Sequence, residues 1–314
     1  MATILITGGT GLVGKRLTEL LIAKGYEIII LTRTKKESSE KNISYATWNV
    51  EQQTIDASAI AAADYIIHLA GAGVADKRWS EQRKKEIVDS RVQSSSLIVK
   101  TLQENNNKVK AVISASAIGW YGSDNLAKTN SKKQDNKGFE ENAEPANDFL
   151  GETCKQWEES IDPVTKLGKR LVKLRTGIVL STSGGALKEF MLPLKLGVAS
   201  ILGDGNQKVS WIHIDDLCQL YITAIENDNW QGSYNAVAAS PVTNKQLTLA
   251  LAKQVRGNFF VPIHVPSFAL KIMLGEMSIE VLKSCTVSAE KIKKAGYHLM
   301  YPTLENALQN LIGK

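Results

Sequence analysis

Cysteine is scarce in this chain of 314 residues, and the three present, Cys154, Cys218 and Cys285, lie far apart. An odd, dispersed set builds neither a disulfide framework nor a metal cluster, so no metal and a reducing, cytoplasmic setting are expected. Uninterrupted apolar runs are also missing: none approaches the roughly 18 residues of a membrane span, and no membrane partner is expected. The opening Met1-Ala2-Thr3-Ile4-Leu5-Ile6 passes straight into strand-like sequence, which leaves no room for a signal peptide. Charge of one sign is not concentrated either. Lys and Arg number 38 against 32 Asp and Glu, a scattered net charge of +6. The run Arg83-Lys84-Lys85 reads as a solvated helix face, and no nucleic-acid partner is expected. No internal repeat is evident, and nothing in the pattern sets an oligomeric state.

What is present is an ordinary globular composition, 43% hydrophobic and 22% charged, over a length that suits one large or two unequal domains. Short runs rich in Ile, Val and Leu at Thr3–Ile6, Glu27–Leu31, Asp64–Leu69, Val109–Ser114 and Arg170–Leu174 read as buried strands. Leu12–Lys24 and Glu81–Glu104 carry helical spacing between them, with Gly25 placed to cap the first. The alternation predicts an α/β fold, a Rossmann-type doubly wound parallel sheet with helices on both faces. A smaller, mainly helical C-terminal domain is expected to follow. We place the nucleotide-binding domain at 1–180, with parts of 205–240 returning to it, and the substrate domain at 181–314. The polar stretch Ser123–Ala146 reads as a long loop or lid. Asn147–Ser160 and Ala186–Leu196 read as helices, Phe259–Val265 as an extended piece, and the apolar Pro266–Leu282 as core packing.

The most informative segment is Thr7-Gly8-Gly9-Thr10-Gly11-Leu12-Val13-Gly14, between the first strand and first helix. Gly8 suits a tight turn, Gly11 the approach of backbone N–H groups to a pyrophosphate, and Gly14 close packing of helix on strand. The helix N-terminus then stabilises the anion. At the end of the second strand, where an NAD site places an acid for the ribose 2′-hydroxyl, stands Leu31-Thr32-Arg33-Thr34-Lys35-Lys36, with no carboxylate before Glu37. Arg33, aided by Thr32, is suited to grip a 2′-phosphate, so the expected cofactor is NADP(H).

These motifs resemble the extended short-chain dehydrogenase/reductases. The likeness lies in the turn, in His68-Leu69-Ala70-Gly71, in Ile113-Ser114-Ala115-Ser116 with Tyr121-Gly122, and in Trp211-Ile212-His213-Ile214-Asp215-Asp216. More narrowly, Lys77-Arg78-Trp79, Asp89-Ser90-Arg91, Ser114–Gly122, Leu174-Arg175-Thr176-Gly177, Leu274-Gly275-Glu276-Met277 and Tyr301-Pro302-Thr303-Leu304 resemble an epimerase-like branch with a C-terminal domain of unknown function. The resemblance implies that Thr10, Leu12 and Val13 line the pyrophosphate and that Thr32 and Arg33 meet the adenosine phosphate. It further implies that Leu69 and Ala70 pass beside the ribose, that Arg91 reaches back to the cofactor, and that Val179 sits near the nicotinamide. Ser116 is the implied counterpart of the catalytic serine, and the substrate is expected near Arg78, Trp79, Arg175 and Trp211.

One part of the superfamily pattern is missing. Its chemistry uses a Tyr with a Lys four residues later on one helix face, where the ammonium favours the phenolate. The residues four positions after the eight tyrosines are Ile30, Asn49, Leu69, Asn125, Ile225, Ala238, Tyr301 and Glu305, and none is lysine. Tyr121, His213 and Cys154 remain as candidate proton carriers, with packing roles as the alternative. Two functions stay open: an NADP(H)-dependent oxidoreductase or epimerase-like enzyme acting on a small molecule, such as a sugar nucleotide, and a non-catalytic NADP(H)-sensing protein.

Overall fold

The computed structural model describes residues 2–124 and 138–313; residues 125–137 of the predicted loop lie outside them. The first half alternates β1 (Thr3–Thr7), α1 (Leu12–Ala23), β2 (Glu27–Thr32), β3 (Ile43–Asn49), β4 (Thr54–Ile55), α2 (Ala57–Ala62), β5 (Tyr65–His68), α3 (Glu81–Glu104), β6 (Ala111–Ala117), α4 (Phe149–Ile161) and β7 (Arg170–Thr176). Next come β8 (Ile178–Leu180), α5 (Ala186–Leu194), β9 (Val198–Leu202), β10 (Lys208–Val209), β11 (Trp211–His213), α6 (Ile214–Glu226) and β12 (Gly232–Ala236). The chain ends with β13 (Val242–Thr243), α7 (Asn244–Arg256), β14 (Val261–Val265), α8 (Ser267–Leu274), α9 (Ser278–Leu282), α10 (Glu290–Lys294) and α11 (Leu304–Ile312).

Eight strands form the main sheet in the order β12-β7-β6-β5-β1-β2-β3-β4. Its pairings are parallel except for the edge pair β3–β4. Alternation along each strand separates two cores. Ile4, Ile6, Ile28, Ile30 and Ile113 pack with Leu17 and Leu21 of α1 and Leu217 and Leu220 of α6. Leu5, Leu31, Ile66 and Val112 point to the other face, against Leu97 and Ile98 of α3 and Ile161 of α4. Both faces are therefore covered, as a Rossmann-type sheet requires, and each such fully buried aliphatic side chain contributes about 1.5–3 kcal/mol. A third cluster joins Leu187 and Leu194 of α5, Trp211 of β11, Leu247 and Leu251 of α7, and Leu304 and Leu308 of α11.

Several sequence expectations change. Strands β3 and β12 extend the sheet at its two sides, and neither was read from periodicity: β3 mixes small, polar and aromatic residues, and β12 is only Gly232-Ser233-Tyr234-Asn235-Ala236. Pro266–Leu282 is not core packing. Leu270 is buried, but Phe268, Ile272, Met273 and Ile279 are between 59% and 71% exposed. Nor is Arg83-Lys84-Lys85 wholly a solvated face. Arg83 is buried, donating to the Gly73 carbonyl and pairing with Glu86.

Candidate dinucleotide and substrate site

Strand β1 sits where the chain order reverses, with β2 on one side and β5 on the other. Open α/β sheets bind ligands at the carboxyl ends of strands at such a point. The Thr7 hydroxyl, at the end of β1, accepts the N–H groups of Leu69 and Ala70, each at 3.1 Å, and lies 2.7 Å from Nδ1 of His68. With two donors already aimed at it, that hydroxyl gives its own proton to Nδ1. The ring's remaining N–H at Nε2 then faces Ser95 Oγ at 3.1 Å. Burial, helped by the charge of Arg91, pushes the His68 pKa down to about 3, so the ring stays neutral. This network ties the loop after β5 to the turn after β1.

The glycine turn is closed by contacts that leave no space for side chains. Gly8 has φ +69°, and a Cβ there would stand 2.9 Å from the carbonyl carbon of Leu69. A Cβ on Gly14 would fall 2.3 Å from the Gly8 carbonyl oxygen and 2.6 Å from the Gly9 Cα. Gly11 donates to the Gly8 carbonyl at 3.0 Å and opens α1 with no side-chain cap and no acid in the first turn. The unpaired N–H groups of that turn thus stay available to an anion, the arrangement a diphosphate needs. Thr10 is exposed beside the turn, and Leu12 and Val13 are half-buried. Leu12 packs under the turn Ser183-Gly184-Gly185: Cβ atoms added at Gly184 and Gly185 would meet it at 3.5 and 3.3 Å, and the Gly185 one would also lie 3.7 Å from the Val179 carbonyl. The structure thus brings Leu12 and Val179 to one crevice.

Thr32 is buried at the end of β2, its hydroxyl donating to the Thr34 carbonyl at 2.7 Å, and Arg33 is exposed just beyond it. Arg33 borders a small cleft shared with Thr47, Trp48, Asn49 and Asp56. Arg91 reaches from α3 to the loop after β5. Its guanidinium donates to the carbonyls of Ala72 at 3.0 Å and Ile87 at 2.9 Å and lies 5.0 Å from the Trp157 ring centre. The residues read as cofactor contacts therefore cluster at the carboxyl edge of the sheet, with Arg33 at the far end.

The residues read as catalytic or substrate-binding are placed differently. Ser116 is 3% exposed, and its hydroxyl donates to Glu158 Oε1 at 2.7 Å. The same carboxylate is gripped by Arg175, Nε to Oε1 at 2.7 Å and Nη2 to Oε2 at 3.0 Å. Arg175 also donates to the Tyr121 hydroxyl at 3.0 Å and stacks 3.7 Å from the Trp120 ring centre. Tyr121 in turn donates to Asn235 Oδ1 at 2.6 Å, and burial raises its pKa well above the ordinary phenol value. In this arrangement Ser116, Tyr121 and Arg175 form a buried polar knot among β6, β7, β12 and α4, with their polar atoms already partnered. Arg175 is an internal ion-pair residue here and not a cleft arginine. Trp211 is 1% exposed in the third core cluster and donates to the Ser240 carbonyl, so it does not wall a cleft either.

Helix α4, over the stretch Asn147–Ser160 read as a helix, presents Leu150 and Cys154, four residues apart, to the turn after β6. A Cβ on Gly119 would meet Leu150 Cβ at 3.0 Å and Cys154 Sγ at 3.5 Å. Burial pushes the Cys154 thiol up to about 12, which keeps it protonated. His213 is also structural. It caps α6 by accepting the Asp215 N–H at 3.0 Å, faces Asn310 at 3.1 Å and stacks on Tyr301.

Of the proposed substrate residues, Arg78 is exposed against Gly275, and Trp79 is buried edge-on to Phe149 with its N–H on the Val74 carbonyl. Sequence reading missed Glu158, the centre of the buried knot. Its signal was present: it stands in the buried stripe Gly151, Cys154, Glu158, Ile161 of an amphipathic helix, where a lone carboxylate needs a cationic partner.

Comparison with known proteins agrees with this fold. Residues 4–144 match the NAD dependent epimerase/dehydratase family, and residues 265–311 match a domain of unknown function, DUF1731. The epimerase family protein YfhF of Bacillus subtilis is 34% identical over 309 residues, covering 98% of this chain and 97% of that protein. The epimerase family protein SH2119 of Staphylococcus haemolyticus is 35% identical, covering 99% of both. Among solved structures, the human epimerase family protein SDR39U1 (isoform 2), crystallised with NADPH, superposes with a TM-score of 0.83 at 26% identity over 99% of both chains. The chain belongs to the NAD-dependent epimerase/dehydratase family, in a branch that carries a DUF1731 segment near its C-terminus.

Proposed function

We propose that the chain binds NADP(H) across the crevice between β1, β2 and β5 and acts as an NADP(H)-dependent, epimerase-like oxidoreductase on a small molecule. The observation that carries the cofactor choice is Arg33, exposed just past β2 where an NAD site would hold an acid. The closed turn at Gly8 and Gly14 and the uncapped N-terminus of α1 fit the diphosphate. That a structural relative was crystallised with NADPH supports the same reading. Bound there, the nicotinamide would supply hydride exchange. The chain's own residues would hold the diphosphate on α1, grip the 2′-phosphate through Arg33 and Thr32, and pack Val179 and Leu12 beside the cofactor. The substrate would enter near exposed Arg78.

A second reading, an NADP(H)-responsive binding protein, is favoured by one observation. The hydroxyls of Ser116 and Tyr121 are spent on Glu158 and Asn235, while α4 offers Leu150 and Cys154 at the end of β6.

Calorimetric titration with NADPH and NADH tests the cofactor assignment. Arg33→Ala should weaken NADPH about tenfold to a hundredfold, the worth of a charge-assisted hydrogen bond, and leave NADH unchanged. Equal losses for both would refute it. Absorbance assays with carbonyl substrates, nucleotide sugars included, then separate the readings, since tight NADPH binding with no turnover on any of them favours the binding protein.

A further inference from the structure

We propose that the surface formed by the C-terminal half of α5 and the outer strand β14 docks on an anionic lipid bilayer. On α5, Leu192 follows Lys188 by four residues, so the two share one helix face. Leu192 is 45% exposed and Leu196, just past the helix, 85%. Beside them the chain leaving α7 carries Phe259, 87% exposed, and β14 adds Val261 at 61%. Backbone bonds fix this adjacency: the Val261 N–H donates to the Gly197 carbonyl at 2.8 Å, and the Arg256 guanidinium donates to the Lys195 carbonyl at 3.4 Å. Leu196 and Phe259 are thus neighbouring apolar tips, and Lys195 and Arg256 stand at their base.

Burial energetics make such tips costly in water and favourable in the headgroup–acyl boundary, where apolar side chains insert while a basic collar meets phosphates. Among the described residues no carboxylate pairs with Lys188, Lys195 or Arg256, so their charge is free for an external anion. Glu189 lies on α5 too, but about 100° around the helix from Lys188. One consideration favours a bilayer over a second copy of the chain: a two-fold contact through the tips would bring Lys195 and Arg256 towards their own copies. Surface docking needs no spanning helix, and no helix among the described residues is long and apolar enough to cross a membrane.

The test is co-sedimentation of the full chain with vesicles of phosphatidylcholine alone and of phosphatidylcholine mixed with phosphatidylglycerol. Binding to the mixed vesicles only, weakening with added salt, is expected. Lys195→Glu with Arg256→Glu should lower the partition coefficient roughly twentyfold or more, at about fivefold for each positive charge removed. Leu196→Ser with Phe259→Ser should abolish binding. Both pairs are exposed, and circular dichroism should show the fold retained. Failure to bind mixed vesicles overturns the proposal, as does a dimer in analytical ultracentrifugation that Phe259→Ser dissociates.

Discussion

Arg16 and Asp215 meet across 199 positions of sequence in a two-pronged ion pair, Nε to Oδ1 at 2.6 Å and Nη2 to Oδ2 at 3.1 Å. The pair fastens the helix that follows the glycine turn to the first turn of α6. The next residue, Asp216, accepts the N–H groups of Met300 at 2.7 Å and Tyr301 at 3.0 Å, and His213, just before, stacks on Tyr301. Three neighbours on one short segment thus tie the helix after the glycine turn to the chain leading into α11.

Asp215→Asn removes the charge from that clamp while keeping its shape. Arg16 is 38% exposed, so solvent screens the pair, and the expected loss of stability is only about 1 kcal/mol. The cofactor should feel the change more clearly. NADPH affinity is expected to fall severalfold because the clamp holding α1 to α6 is weakened, and calorimetry on the variant would show it. Unchanged affinity would mean that packing alone positions the helix.

The knot around Glu158 yields a second prediction. Glu158→Gln leaves the Arg175 guanidinium buried without its countercharge, which should cost about 3–5 kcal/mol in urea denaturation. Ser116→Ala removes one hydrogen bond and should cost about 1–2 kcal/mol. A serine acting in catalysis would instead lose turnover with stability untouched. The knot also sets an acid limit. Burial alone would raise the Glu158 pKa, but hydrogen bonds and charge from Arg175, with Lys173 and Ser116, outweigh it and hold the carboxyl below its ordinary value. A carboxyl depressed on folding stabilises fully above its unfolded pKa, and that contribution is lost as pH falls through the lowered value.

His68 supplies a pH dependence at milder acidity. Its pKa near 3 in the fold lies far below the ordinary 6.5, chiefly because it is fully buried. Between those values the unfolded chain binds the extra proton and the folded chain does not, so stability rises with pH. The protein should therefore lose stability steadily as pH drops below 6.5, before Glu158 contributes. In His68→Asn the slope between pH 6.5 and 4 should flatten by up to one proton, even though the variant starts less stable. An unchanged slope would assign the dependence to other groups.

The sheet's central strands were legible because burial on both faces demands short runs of Ile, Val and Leu, and Thr3–Ile6 and Glu27–Leu31 are such runs. The nucleotide turn was legible for a stricter reason. Its constraints are local: a positive φ at Gly8 and the absence of a Cβ at Gly14 can be met only by glycine, so the geometry is written in eight consecutive residues. Edge strands were harder. In β3 the burial requirement is relaxed, and small and polar residues stand where a periodic pattern would be read.

Local sequence therefore determined the sheet's centre, the phosphate turn and the cationic end of β2, since each depends on residues within one β-α-β unit. Only tertiary packing decided which charges face a ligand. Arg175 reads in sequence like a cleft arginine, but α4 packs across β6 and β7 and delivers Glu158 to it, turning it inward. The apolar segment Pro266–Leu282 shows the converse: hydrophobicity says a surface seeks cover, and whether the fold supplies that cover depends on elements far away in the chain.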